Sequence, residues 1–205
     1  MQLNYLAWFP ARPKQGSFDL LGGALDGVIW RVTLGPDGRP LVYDSIHACG
    51  CYHLFFPTTR LAVKPGPPPR DIRESVEVPT RGPDLAPGQR LNIWLTNTSH
   101  YIQALSTVNG SEPMPVQTRF YAMEPAARLR LLDHPGGGTR SMYGPDGIVA
   151  GTERLERLLL WPMGIASPGA MRQWGTHATA FVGRRHFDDP WLFDRAFRLR
   201  QDGPR

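Results

Sequence analysis

A chain of 205 residues with 41% hydrophobic and 20% charged residues is long enough to bury a core and too apolar to remain disordered. Its net charge of +5 is carried by arginine, since Lys14 and Lys64 are the only lysines. No basic helix, zinc-finger or RNA-binding pattern accompanies that charge, so nucleic acid is not the expected partner, which is left as an unidentified small molecule or protein. Two cysteines one residue apart exclude a disulfide scaffold, and no apolar run reaches the length of a membrane span.

Leu3 to Phe9 predicts a first strand, ended by Pro10. An apolar run so close to the start, without the charged lead of a signal peptide, fits a piece of a longer protein. No targeting segment is visible. Phe18 to Leu25 reads as a loop because of Gly22 and Gly23. Gly27 to Leu34 is rich in β-branched and aromatic residues and predicts a second strand. Gly35-Pro36-Asp37-Gly38 is a turn, with proline presetting φ and glycine accepting the left-handed position. Pro40 to Tyr43 then forms the returning arm of a hairpin and runs on, as one long strand, until Pro57.

Arg60 to Lys64 and Ser75 to Pro79 read as short strands, separated by a polyproline-like connector at Pro65 to Pro69. Arg90 to Leu95 and His100 to Leu105 flank Thr96 to Ser99 and predict a second hairpin. Thr118 to Met123, Ala127 to Leu132 and Thr176 to Val182 are further strand candidates. Two helices are expected late in the chain. One is capped by Thr152, with Leu155, Leu158 and Leu159 on one face and Pro162 at its end. The other is opened by Asp189-Pro190 and runs from Trp191 to Arg200. The pattern describes a single α+β domain over residues 1–205, mainly antiparallel β-sheet built of hairpins, with two C-terminal helices.

The chemistry-bearing stretch is Asp44 to Phe56. It holds both cysteines and two of the six histidines at every second position. If extended, it places His47, Cys49, Cys51 and His53 on one face and Ile46, Ala48, Tyr52, Leu54 and Phe56 on the other, with Gly50 as the one expected interruption. Cysteine and histidine are the soft and borderline ligands that zinc, copper and iron favour. Over about 20 Å of strand a single ion cannot reach all four. It would take neighbours among Cys49, Cys51 and His53 and be completed by His47, or by His177 or His186 from the C-terminal part. Zinc is the first expectation, and three protein ligands with one water would suit metal-assisted hydrolysis.

Two alternatives come from other classes. Cys49 and Cys51 could form a strained, labile disulfide in a thiol-redox protein, or the stretch could simply pack or serve an interaction. His100 and His134 lie near turns and are expected to be exposed. Asp188 and Asp189 read as helix-terminal charges. His-Glu-x-x-His, Gly-x-Ser-x-Gly and phosphate-loop patterns are all absent, and no catalytic residue is assigned.

Overall fold

The computed structural model describes residues 1–66, 72–113, 122–177 and 186–200. Strands β1 (Gln2–Arg12), β2 (Gly23–Leu34), β3 (Pro40–His47) and β4 (Leu54–Pro57) form one antiparallel sheet in that order. β1 runs through Pro10 rather than stopping there, because β1 is an edge strand and Pro10 drops out of the ladder between Phe9↔Asp26 and Ala11↔Ala24. The Gly35–Gly38 turn is present: the Gly38 N–H donates to the Gly35 carbonyl at 3.0 Å, with Gly38 at φ +74°.

The single long strand to Pro57 is corrected. The chain leaves the sheet after His47, turns at Gly50 (φ +98°) and Tyr52 (φ +58°), and re-enters at Leu54. The Gly50 N–H donates to the His47 carbonyl at 2.7 Å and the His47 N–H to the Cys51 carbonyl at 2.9 Å. β4 then pairs back on β3 from Ser45↔Leu54 to Val42↔Pro57. Phe55 and Phe56 are then buried on opposite faces of the sheet.

β5 (Leu61–Val63) follows, then the expected hairpin of β6 (Gln89–Leu95) and β7 (Ile102–Asn109). Trp30, Tyr43 and Phe56 pack on one face of the main sheet against Leu91, Ile93 and Leu105 of that hairpin. Val42 and Phe55, on the other face, meet Leu61, Ala196 and Phe197. A third cluster gathers Ala48 and Cys49 with Tyr143, Val149 and Met171.

Several expected elements are shorter or different. Ala126–Arg130 is a 3₁₀ turn rather than a strand, and only β8 (Leu132–Asp133) and β9 (Thr139–Arg140) pair beyond it. Residues 75–79 contribute one isolated parallel bridge, Glu77 to Leu54. The first helix, α1, covers only Arg157–Leu160 and turns Leu158 and Leu159 outward. Thr152 does not cap it: its hydroxyl accepts the Met171 N–H at 3.0 Å and donates to the Val149 carbonyl at 2.6 Å. The second, α2, covers Leu192–Ala196, after which the chain becomes β10 (Phe197–Leu199) and pairs with β5. Asp189 does serve the start of α2, accepting the Trp191 N–H at 3.1 Å. The strands expected at 118–123 and 176–182 and the connector at 65–69 fall largely outside the described residues. The class stands: mainly antiparallel sheet with two short C-terminal helices. No helix among the described residues is long and apolar enough to cross a membrane.

Candidate functional site

Arg31 and Asp44 are direct cross-strand partners on β2 and β3, on the same face as Phe55. Both are buried. The Arg31 guanidinium donates through Nε (2.7 Å) and Nη2 to Asp44 Oδ2, and its Cζ lies 3.9 Å from the centre of the Trp174 ring. His53, where the connection re-enters the sheet, places Nε2 3.0 Å from the same oxygen. Asp44 Oδ1 is buried and has no hydrogen bond among the described residues.

His186 opens a 3₁₀ turn, His186–Asp188, at the far end of the chain. Its Nδ1 faces His53 Nδ1 at 3.1 Å. Its Nε2 lies 3.3 Å from the Glu74 carbonyl, and its backbone N–H donates to Glu74 Oε2 at 3.1 Å. That carboxylate oxygen is also 3.5 Å from His186 Nδ1. A carbonyl only accepts, so His186 Nε2 carries the proton. His53 Nε2 sits between an acceptor and a donor, Asp44 Oδ2 at 3.0 Å and Arg31 Nη2 at 3.1 Å. When it donates to the carboxylate, both Nδ1 atoms present lone pairs to each other; when it accepts from the guanidinium, His53 Nδ1 carries the proton and donates to His186 Nδ1. Burial lowers the pKa of His53, outweighing the raising effect of Asp44, and so opposes a second proton on that ring.

The six expected metal ligands part company here. His53 and His186 meet. His177 comes close as well, since a Cβ on Gly50 would stand 2.7 Å from the His177 Cβ, and its ring lies 5.2 Å from Trp174. The approach of His177 or His186 to the Cys49–His53 segment, expected from sequence, is found for both. The one-faced row is not. His47 turns toward the rings of Tyr52 and Tyr101, at 5.5 and 5.3 Å. Cys49 and Cys51 turn into the Tyr143–Met171 cluster. Turning at Gly50 and Tyr52 breaks the two-residue alternation that would have aligned them. Both cysteines are free thiols, and the side-chain hydrogen bond that the Cys49 thiol gives to Cys51, followed by burial, pushes the Cys49 thiol well above its ordinary value. Such a thiol is a poor nucleophile. Among the described residues no group of three His, Cys, Asp or Glu side chains is arranged to hold a metal ion.

A second buried pair was not expected. His100 is buried, not exposed, and its Nδ1 lies 2.6 Å from Asp26 Oδ2. Phe9 stacks on it at 3.8 Å. His134 is exposed, as read from its turn. Arg31 and Asp44 carried a usable signal, each being a lone charge inside an otherwise apolar strand run on either side of a tight turn. Glu74 and Asp26 carried none that separates them from surface carboxylates. No protein-family model, no curated protein and no solved structure matches this chain, so its functional reading rests on this geometry.

Proposed function

We propose that the protein is a metal-binding β-rich domain whose centre is the His53–His186 pair, with zinc as the first candidate. The observation that supports this reading is the facing of two imidazole Nδ1 atoms at 3.1 Å, with His186 Nε2 on the Glu74 carbonyl and His53 Nε2 beside Asp44 Oδ2 and Arg31 Nη2. Histidines that bind a metal are commonly oriented in this way, with the far nitrogen donating to a carboxylate or carbonyl. An ion 2.0–2.1 Å from both nitrogens would see them at about 100°, close to a tetrahedral angle. Glu74 Oε2, at 3.5 Å from His186 Nδ1, would subtend roughly 117° at the same bond length. Its carboxylate would leave the His186 N–H to become the third ligand.

Both imidazole side chains are only 3% exposed. An ion there has no open water face, which favours a structural role, tying the C-terminal segment to the sheet, over metal-assisted hydrolysis. The thiol-redox alternative would rest on Cys49 and Cys51, and the raised thiol of Cys49 disfavours it.

Elemental analysis and zinc titration calorimetry of the full chain test the proposal. One equivalent of zinc is expected, with affinity falling at least ten-fold in H186Q and retained in the C49S/C51S variant. Absence of binding refutes it. Zinc lost with the cysteines but kept without His186 moves the site to the thiols.

A further inference from the structure

We propose that Cys49 and Cys51 close a reversible disulfide across Gly50 by exchange with small-molecule disulfides, and that closing it loosens the hold of His53 on the metal centre. The coupling to the metal rests on the function proposed above; the disulfide does not. The chain turns back at Gly50 (φ +98°), where the Gly50 N–H donates to the His47 carbonyl at 2.7 Å and the His47 N–H to the Cys51 carbonyl at 2.9 Å. Both cysteines pack into the same cluster around Tyr143 and Met171, and the Cys49 thiol donates to Cys51. Residues two apart have Cα atoms about 6.6 Å apart in a strand and closer in a turn, within the roughly 4.4–6.8 Å that a disulfide bridges. A bridge over one residue removes little chain entropy and is readily reduced, the character of a labile disulfide and not of a structural one.

Cys51 is the half-buried member and meets the incoming disulfide first, whereas Cys49 is buried. The Cys51 sulfur attacks one sulfur of glutathione disulfide and releases one glutathione. The Cys49 sulfur then attacks the Cys51 sulfur of the mixed disulfide and releases the second. The protein pair loses two electrons, which reduce the glutathione disulfide, and its two thiol protons leave on the two glutathiones. Because its bond to Cys51 and its burial hold the Cys49 thiol protonated, the second step is slow. The pair therefore suits a switch that oxidises over minutes to hours, not a catalytic dithiol. The two ends of the turn are not equally free to move. Ala48, beside Cys49, is pinned by its N–H to the Gly27 carbonyl at 2.7 Å and by its carbonyl to the Arg172 N–H at 2.8 Å. Gly50 is backed by the His177 side chain, which a Cβ there would meet at 2.7 Å. An S–S bond of about 2.05 Å draws the sulfurs closer than a thiol hydrogen bond does. The movement then falls on Cys51 and on Tyr52 (φ +58°), which lead into His53. Metal ligands must sit within about 0.2 Å of their proper distances, and His53 Nδ1 is the atom displaced from its place 3.1 Å from His186 Nδ1.

Incubating the full chain with oxidised or reduced glutathione tests this. With the oxidised form, intact mass should show the loss of two hydrogens and thiol titration the loss of both thiols, with full recovery under dithiothreitol. Zinc titration calorimetry should give the oxidised chain an affinity at least about ten-fold below the reduced one. The oxidant should change nothing in C49S/C51S, nor in C51S, which leaves the buried cysteine in place. The oxidised chain should keep a cooperative melting transition. Thiols that still titrate, or a mass that stops at the glutathione adduct, overturn the pairing. A disulfide with unchanged zinc affinity, or an oxidised chain without a melting transition, overturns the coupling. A reduced chain that binds no zinc removes the metal reading and the coupling together, while mass and thiol titre still decide the pairing.

Discussion

Removing one charge at Asp44 should expose how much of the fold hangs on its network. Asp44→Asn keeps the shape but takes the counter-ion from Arg31, which is 7% exposed and cannot turn to water. It also weakens the acceptor that orients His53. Breaking a buried pair from one side costs about 3–5 kcal/mol, because the partner charge stays behind uncompensated. At 2–4 °C of melting temperature per kcal/mol for a chain of this size, the shift should be roughly 6–20 °C. Urea unfolding at pH 7 measures it directly, and Trp174 supplies a fluorescent reporter against the Arg31 guanidinium. The double variant R31M/D44L should recover most of the loss, leaving about 1–3 kcal/mol for the orphaned His53 N–H. A loss below about 1 kcal/mol in Asp44→Asn would refute the claim that this pair is desolvated and coupled.

His47 predicts a pH dependence. Burial depresses its pKa from 6.5 to about 4, so its neutral form is the one the fold favours. Its contribution is complete above pH 6.5 and is lost as pH falls from 6.5 toward 4, by up to roughly 3 kcal/mol. His53 is lowered in the same direction, so the difference between parent and His47→Gln, measured by urea unfolding at pH 7.5, 5.5 and 4.5, isolates His47. Parallel pH profiles would refute it. At Gly50, an alanine must take φ +98° and meet the His177 side chain at 2.7–3.0 Å. Gly50→Ala should cost about 2–4 kcal/mol, against about 1 kcal/mol for Gly38→Ala, which has φ +74° and open space. Equal losses would mean that the contact with His177 is absent.

Strands and turns were legible where one local rule decided them. Val28-Ile29-Trp30 and the Gly35–Gly38 turn set β2, β3 and their register, and Thr96 to Ser99 marked the second hairpin. The connection from Ala48 to His53 was misread because a two-residue alternation can be written through a turn as readily as through a strand. Gly50, recognised as an interruption, was in fact the pivot. α1 is present where the leucine spacing placed it, but shorter and facing the other way. Leucines at helical spacing predict a buried stripe only if something packs on them, and here Leu158 and Leu159 face outward. In the site, His53 and His186 were identified from residue type and their setting alone. Asp44 and Arg31 are visible as lone charges in apolar strand runs, but their pairing needs the register, and Glu74 needs the long-range return of the chain.

The alternating His and Cys residues acquire a different meaning once the connection is a turn. Because it is bent, its side chains fan out to three layers instead of lining one face. His47 meets Tyr101 at the start of β7. Cys49 packs with Tyr143 and Met171, and the Ala48 carbonyl accepts the Arg172 N–H at 2.8 Å. His53 reaches His186, 133 positions away. These contacts are costly, since each buried imidazole forgoes hydration and His47 and His53 are held against protonation. Apolar residues of similar volume would hold the layers together at less cost. The His53–His186 junction pairs two Nδ1 atoms that repel when His53 donates from Nε2 to Asp44, unless a cation or a proton lies between them. An ion there would turn that contact into a fastening.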